Sequence, residues 1–241
     1  MSDYNVTTTN HRHRSVAGEC IVLLLGAMLV SCGGGGGGSS PPPVSPGPPP
    51  APVPPPPPPP PGTTVPPLAS PAIALETVTR VGVDRWPAKS TANGGQGQTV
   101  GGLDCLPTML EDYHVHSHLA IYLNGESITV PEEIGITRSV SPNCFYEIHT
   151  HDLKGKLHVE AGAAGVFTLG QFFAVWGEPF NNTTVADITG LPIVVYTVDD
   201  NVVTEVPDDE WNDIELTAKR QIVIQVGTPL TEIPNYTWTG D

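Results

Sequence analysis

HLAIYLNGESITV, residues 118–130, is the stretch that decides the fold. His118–Leu123 is a strand run, and it ends at Asn124-Gly125, the dipeptide best suited to the positive φ angles of a two-residue hairpin turn. Ser127–Val130 returns from that turn, and Pro131 ends it by removing a backbone donor. Outward from here the same signals recur. Cys144–His151 and Lys156–Glu160 read as a second hairpin around Lys154-Gly155. Pro192–Val198 and Val202–Val206 flank a turn at Asp199-Asp200-Asn201, and Ile222–Val226 (IVIQV) is a short buried strand. Thr168 is placed to cap a short helix, Leu169–Trp176, that stops at Gly177. The expected domain is mainly β, α+β with one short helix. Either a β-sandwich or a β-grasp-like sheet with the helix packed across it satisfies the pattern. Residues 71–103 carry little periodicity, and Gly94–Gly102 reads as a loop.

Composition divides the 241 residues before any fold is considered. Gly33–Gly38 is an unbroken glycine run, and 18 of the 28 prolines lie between Pro41 and Pro67. Such segments lack the apolar side chains needed to offset their ordering entropy. Residues 32–70 therefore read as a disordered Gly/Pro-rich tether. Its proline part, as extended polyproline II, would span roughly 80 Å. Residues 71–241 remain as one His-rich β domain, ordered from about residue 104 to about 238. The formal charge is −15, and past Ser70 only eight Lys and Arg face 23 acids. With no basic patch to neutralise phosphates, nucleic acid is excluded as a partner. An acidic surface gives no attraction to anionic lipid either; it would raise the local concentration of cations, and the plainer reading is simply a solvated, soluble surface.

The chemistry lies in the histidines. Of eight, His11 and His13 stand near the N-terminus, and the other six fall in two short stretches: His114, His116 and His118, then His149, His151 and His158. Alternate residues of a strand share a face, so HxHxH points three imidazoles one way and HTH points two. A two-residue turn at Lys154-Gly155 would set His151 opposite His158 and His149 opposite Glu160; a three-residue turn would send His158 to the other face. Converging neutral imidazoles beside a carboxylate suit a divalent transition metal, with zinc or copper foremost. Candidate ligands are His114, His116, His118, His149, His151, His158 and Glu160. The competing uses are a hydrogen-bonded polar strand face or a cluster that charges near pH 6. Asp152 could orient a ligand imidazole, or simply cap the turn it leads into.

Leu29-Val30-Ser31-Cys32 follows Ile21–Val30 (IVLLLGAMLV), a charge-free core preceded by Arg12 and Arg14. Ten apolar residues are too few to span a bilayer as a helix. A large aliphatic residue, a tolerant position, a small residue and cysteine resemble the bacterial lipobox. The resemblance implies a signal peptide over residues 1–31, cleavage before Cys32, and palmitate-like acyl chains on Cys32 that anchor the chain in the membrane of the cell envelope. Gly33 after the cysteine favours the outer membrane, or a periplasm-facing position, in a cell that has one. Cys105 and Cys144 are then an even pair outside the cytoplasm, expected as a disulfide that holds the two histidine strands together. Thiolate ligation is the alternative.

YHVHSHLAIYLNG, ITVPEEIGI, HTHDLKGKLHVE and FTLGQFFAVWG together resemble a group of uncharacterised exported bacterial proteins. The resemblance covers about Cys105–Thr237. It implies that the histidine strings act as a unit, and it brings no activity with it, so function rests on the site. Three functions fit these residues. One is a tethered module that captures, stores or delivers a metal. Another is a metal-dependent hydrolase or lyase with a three-His site, with Glu160 or Glu147 as base. The third is a metal-stapled interaction domain. The sequence names no protein partner.

Overall fold

In the computed structural model the described residues are 65–138 and 143–240. The expected signal peptide, Cys32 and the tether up to residue 64 lie outside them. Among the described residues the fold is mainly β with a single α-helix, as the hydrophobic pattern implies. Its centre is a seven-stranded sheet made from β1 (Tyr113–Leu123), β2 (Glu126–Ile128), β3 (Ile148–His149), β4 (Lys156–Ala161), β5 (Ile193–Asp199), β6 (Val202–Val206) and β7 (Gln221–Val226). The strand order is β6-β5-β7-β1-β4-β3, with β2 also pairing with β1. All neighbours run antiparallel except β7 and β1, which are parallel.

The continuous apolar run of β1 follows from burial on both faces. Leu119 and Ile121 join Leu157, Val159, Ile222 and Ile224 in a core closed by helix α1, Leu169–Trp176. Ala120 and Tyr122 face the other way, into a second core with Val223 and Tyr196. That core is covered by Leu75, Val81, Ile233, Tyr236 and Trp238, side chains from either end of the described chain. Those two ends also pair directly, Ile73–Ala74 running parallel to Tyr236–Thr237. Helix α1 starts and stops where its signals lie. Thr168 accepts from the Gln171 N–H in a capping box, and Gly177 takes the left-handed conformation, φ 85°, that residues with a Cβ resist. The β5–β6 hairpin turns on Asp200 and Asn201, both at positive φ.

Residues 71–103, unpatterned in sequence, contribute anchoring contacts instead of long elements. Trp86 meets Trp176 of α1 edge-on with centroids 5.0 Å apart, and Val83 bridges to Ile128. Gly95 packs so closely on the Tyr146 ring that a Cβ could not be accommodated there.

Candidate metal centre

Strand pairing builds the site. β4 lies between β1 and β3, so His116, His158 and His149 stand abreast on three adjacent strands, and His114 faces Glu160 in the next row. Side chains alternate along each strand, so these five project from one face of the sheet. His151 follows two residues after His149, just past the end of β3. The turn differs from the two-residue one that the sequence suggests. Residues 150–155 make a longer connection, in which Asp152 Oδ1 accepts from the Lys154 N–H and Gly155 sits at φ 77°. His149, rather than His151, therefore pairs with His158. The register moves by two residues, an even step, which keeps every histidine on its expected face. Asp152 has the capping role.

The donor atoms converge. His114 Nε2 is 3.0 Å from His116 Nε2, and His116 Nε2 is 2.9 Å from His158 Nδ1. His149 Nε2 is 3.1 Å from His151 Nε2. Glu160 Oε1 lies among them, 3.4 Å from His114 Nε2, 3.4 Å from His158 Nδ1 and 3.7 Å from His149 Nε2. Ligands held about 2.0–2.1 Å from a metal are about 3.0 Å apart along an octahedral edge and about 3.3 Å along a tetrahedral one. The observed separations are of that size. Among the described residues, two groups bring their ligand atoms within 4.8 Å of one another: His149, His151, His158 and Glu160, and His114, His116 and His158.

Protonation favours a cation as well. His149 is fully buried, and its Nδ1–H donates to the Tyr146 carbonyl at 2.8 Å, leaving the Nε2 lone pair aimed into the cluster. A carbonyl fixing one ring nitrogen so that the other can ligate is the usual outer support of a metal-bound imidazole. Burial, with the charges of His116, His149, His151 and Lys156 adding to it, lowers His158 to about 2. Burial and His149 also lower His151. For Glu160, burial opposes the charged form, but the hydrogen bond and charge of His149, with His114 and His151, outweigh it and hold the carboxyl below its ordinary value. Burial thus disfavours the protonated form of His151 and His158, beside a Glu160 carboxyl held toward its ionised form. His151 is exposed and His114 partly so, which gives an ion a way in from solvent.

His118 shares the face but not the cluster. It is fully buried, its ring centroid 4.5 Å from that of Tyr236, and its Nε2–H donates to the Lys154 carbonyl at 2.9 Å. Burial lowers its pKa to about 4. The structure brings six of the seven sequence candidates together and leaves His118 in the aromatic second core. Glu147, the other candidate base, is in neither group of donors; burial and the Asp104 charge raise its pKa. Cys105 and Cys144 form a disulfide. It lies in a small sheet of Cys105–Leu106, Ile136–Thr137 and Cys144–Tyr146, where Cys105 faces Tyr146, whose carbonyl orients His149. The sequence reading missed this carbonyl and the pairing of β1 with β4. The shared two-residue spacing of HxHxH and HxE was the available signal for that pairing. No family model, curated protein or solved structure matches the chain.

Proposed function

We propose that this chain is a bacterial lipoprotein, anchored in the cell envelope through Cys32, whose C-terminal domain captures a divalent transition metal for storage or delivery. Zinc and copper are the favoured ions, because the donors are imidazole nitrogens with one carboxylate and no thioether. The observation that carries the reading is the convergence of five imidazoles and Glu160 Oε1 at separations of 2.9–3.7 Å. A hydrogen bond needs two heavy atoms and one proton; several lone pairs directed at a common space are what a cation needs. The lipobox-like Leu29-Val30-Ser31-Cys32 and the proline-rich spacer support the anchored, outward-held placement. The acidic balance of the domain favours cation approach.

The test is the metal content of the protein purified without a polyhistidine tag, measured by inductively coupled plasma mass spectrometry. Near-stoichiometric zinc or copper, lost in His116→Ala and in His151→Ala, is the expected result. Absence of metal after reconstitution with both ions overturns the proposal. For the anchor, incorporation of labelled palmitate should be abolished by Cys32→Ala; unchanged labelling would remove Cys32 from the account.

A further inference from the structure

Six donors are more than one zinc or copper ion ordinarily takes from a protein. A structural zinc site uses four ligands, and three suffice where water supplies the fourth. The donors here divide. His114, His116 and His158 form one set, and His149, His151, His158 and Glu160 form another. The two sets are each compact within 4.8 Å, and no single set joins all six among the described residues. Each set alone meets the protein's share of a metal site.

The border between the sets is occupied by two residues. The His158 ring meets His116 of the first set edge-on, centroids 4.3 Å apart, and His151 of the second, 4.4 Å apart. Glu160 Oε1 is 3.4 Å from His114 Nε2 on one side and 3.7 Å from His149 Nε2 on the other. The second oxygen of the same carboxylate, Oε2, is buried with no hydrogen-bond partner among the described residues. The residue is only 6% exposed. An ionised carboxylate so placed loses hydration that a proton donor or a cation must replace. A carboxylate has two oxygens and can hold a cation on each.

We infer that the cluster is a two-ion centre. His114 and His116 hold one divalent ion, His149 and His151 hold the other, Glu160 spans the pair, and His158 stands at their border. This rests on the metal-binding reading above and adds the number of ions and the shared ligand. Paired ions of this kind in proteins sit about 3.5–4 Å apart, a distance that one bridging carboxylate spans.

The experiment uses the full chain, purified without a histidine tag, and two probes. Loaded with zinc and desalted, the protein should carry two ions; the His114→Ala/His116→Ala and His149→Ala/His151→Ala pairs should each carry one. Loaded with Cu²⁺, it should show the broadened, half-field electron paramagnetic resonance signal of two coupled ions, and Glu160→Gln should replace that signal with uncoupled copper. One zinc per chain in the unsubstituted protein overturns the two-ion centre and leaves metal binding standing. Two copper ions without coupling overturn the shared carboxylate and with it the centre as described. No ion of either kind overturns the binding reading itself. Should a paired variant fail to fold, the wild-type zinc count and copper spectrum decide the matter.

Discussion

His116 on β1 stands directly opposite His158 on β4, with Nε2 of the one 2.9 Å from Nδ1 of the other. The contact joins two segments 42 residues apart in sequence, so an ion bound there fastens the middle of the sheet. A ligand present at 100 times its Kd stabilises the native state by about 2.7 kcal/mol. For a domain of this size each kcal/mol raises Tm by about 2–4 °C. Zinc should therefore raise Tm by about 5–10 °C, a chelator should reverse the change, and His158→Ala, which takes a donor from both sets, should reduce it. A zinc shift left undiminished by His158→Ala would place the ion elsewhere. Collapse of the fold on chelation would instead assign the metal a structural staple's role.

The disulfide should matter twice. Cys105 and Cys144 are 39 residues apart, and closing a loop of that length in the unfolded chain contributes about 4 kcal/mol in the chain-entropy model. Cys105→Ser/Cys144→Ser should lower the urea midpoint accordingly. The same bridge steadies the strand whose Tyr146 carbonyl accepts the His149 Nδ1–H. Zinc affinity should fall as well, read by competition with a chromogenic chelator. Equal zinc affinity in the two forms would uncouple the bridge from the site.

Local signals made the helix and the hairpins legible. The Thr168 cap, the Gly177 stop and the Asp200-Asn201 turn are each dictated within a few residues, and each appears where the sequence puts it. The six-residue cluster was legible as composition, because imidazoles with two-residue spacing must share a strand face. Its geometry was not. The pairing of β1 with β4 is a choice among non-local partners that periodicity leaves open. The turn before Gly155 is set by Asp152 and by contact with Leu119, not by the Lys154-Gly155 dipeptide alone. His118 shows the other limit. Its spacing matches His114 and His116, but Tyr236 and Trp238, from the far end of the chain, cover it.

Gly155 and Gly125 separate backbone strain from crowding. Both take positive φ, 77° and 86°. A Cβ at Gly125 would meet nothing within 4 Å, whereas one at Gly155 would run into the Leu119 carbonyl. Gly125→Ala should thus cost only the conformational penalty, about 1–2 kcal/mol. Gly155→Ala adds a clash with backbone that cannot move without breaking the Leu119 N–H to Gly155 carbonyl bond. It should cost clearly more and displace the β3–β4 connection. Equal losses in denaturant melts would mean that the sheet yields freely at Leu119.

His118→Ala should leave the metal count unchanged. The imidazole is packed against Tyr236, bonded to the Lys154 carbonyl and outside both donor sets. What the substitution removes is a buried ring and one hydrogen bond, a loss of about 2–4 kcal/mol. A lower zinc stoichiometry in a variant that still folds would restore His118 to the ligand set.

Asp187 offers a pH test away from the histidines. Hydrogen bonds from the Arg85 guanidinium, at 2.6 and 3.0 Å, and from the Trp86 indole N–H, at 2.8 Å, hold its carboxyl below the ordinary value against the opposing effect of burial. A folded-state pKa lowered in this way means stability that is present above the unfolded value, about 3.9, and is lost as pH falls through the lower folded value. The aspartate is largely exposed, so the pair contributes only about 0.5–1 kcal/mol. Asp187→Asn should therefore destabilise the protein modestly at pH 7, loosening Trp86 from Trp176, with a change in tryptophan fluorescence. The gap from wild type should narrow as pH falls below about 4, where the unfolded chain takes up the proton that folded Asp187 resists. A gap of constant size down to pH 2.5 would show that Asp187 acts through its shape and neutral hydrogen bonds, and that the charge on Arg85 contributes nothing.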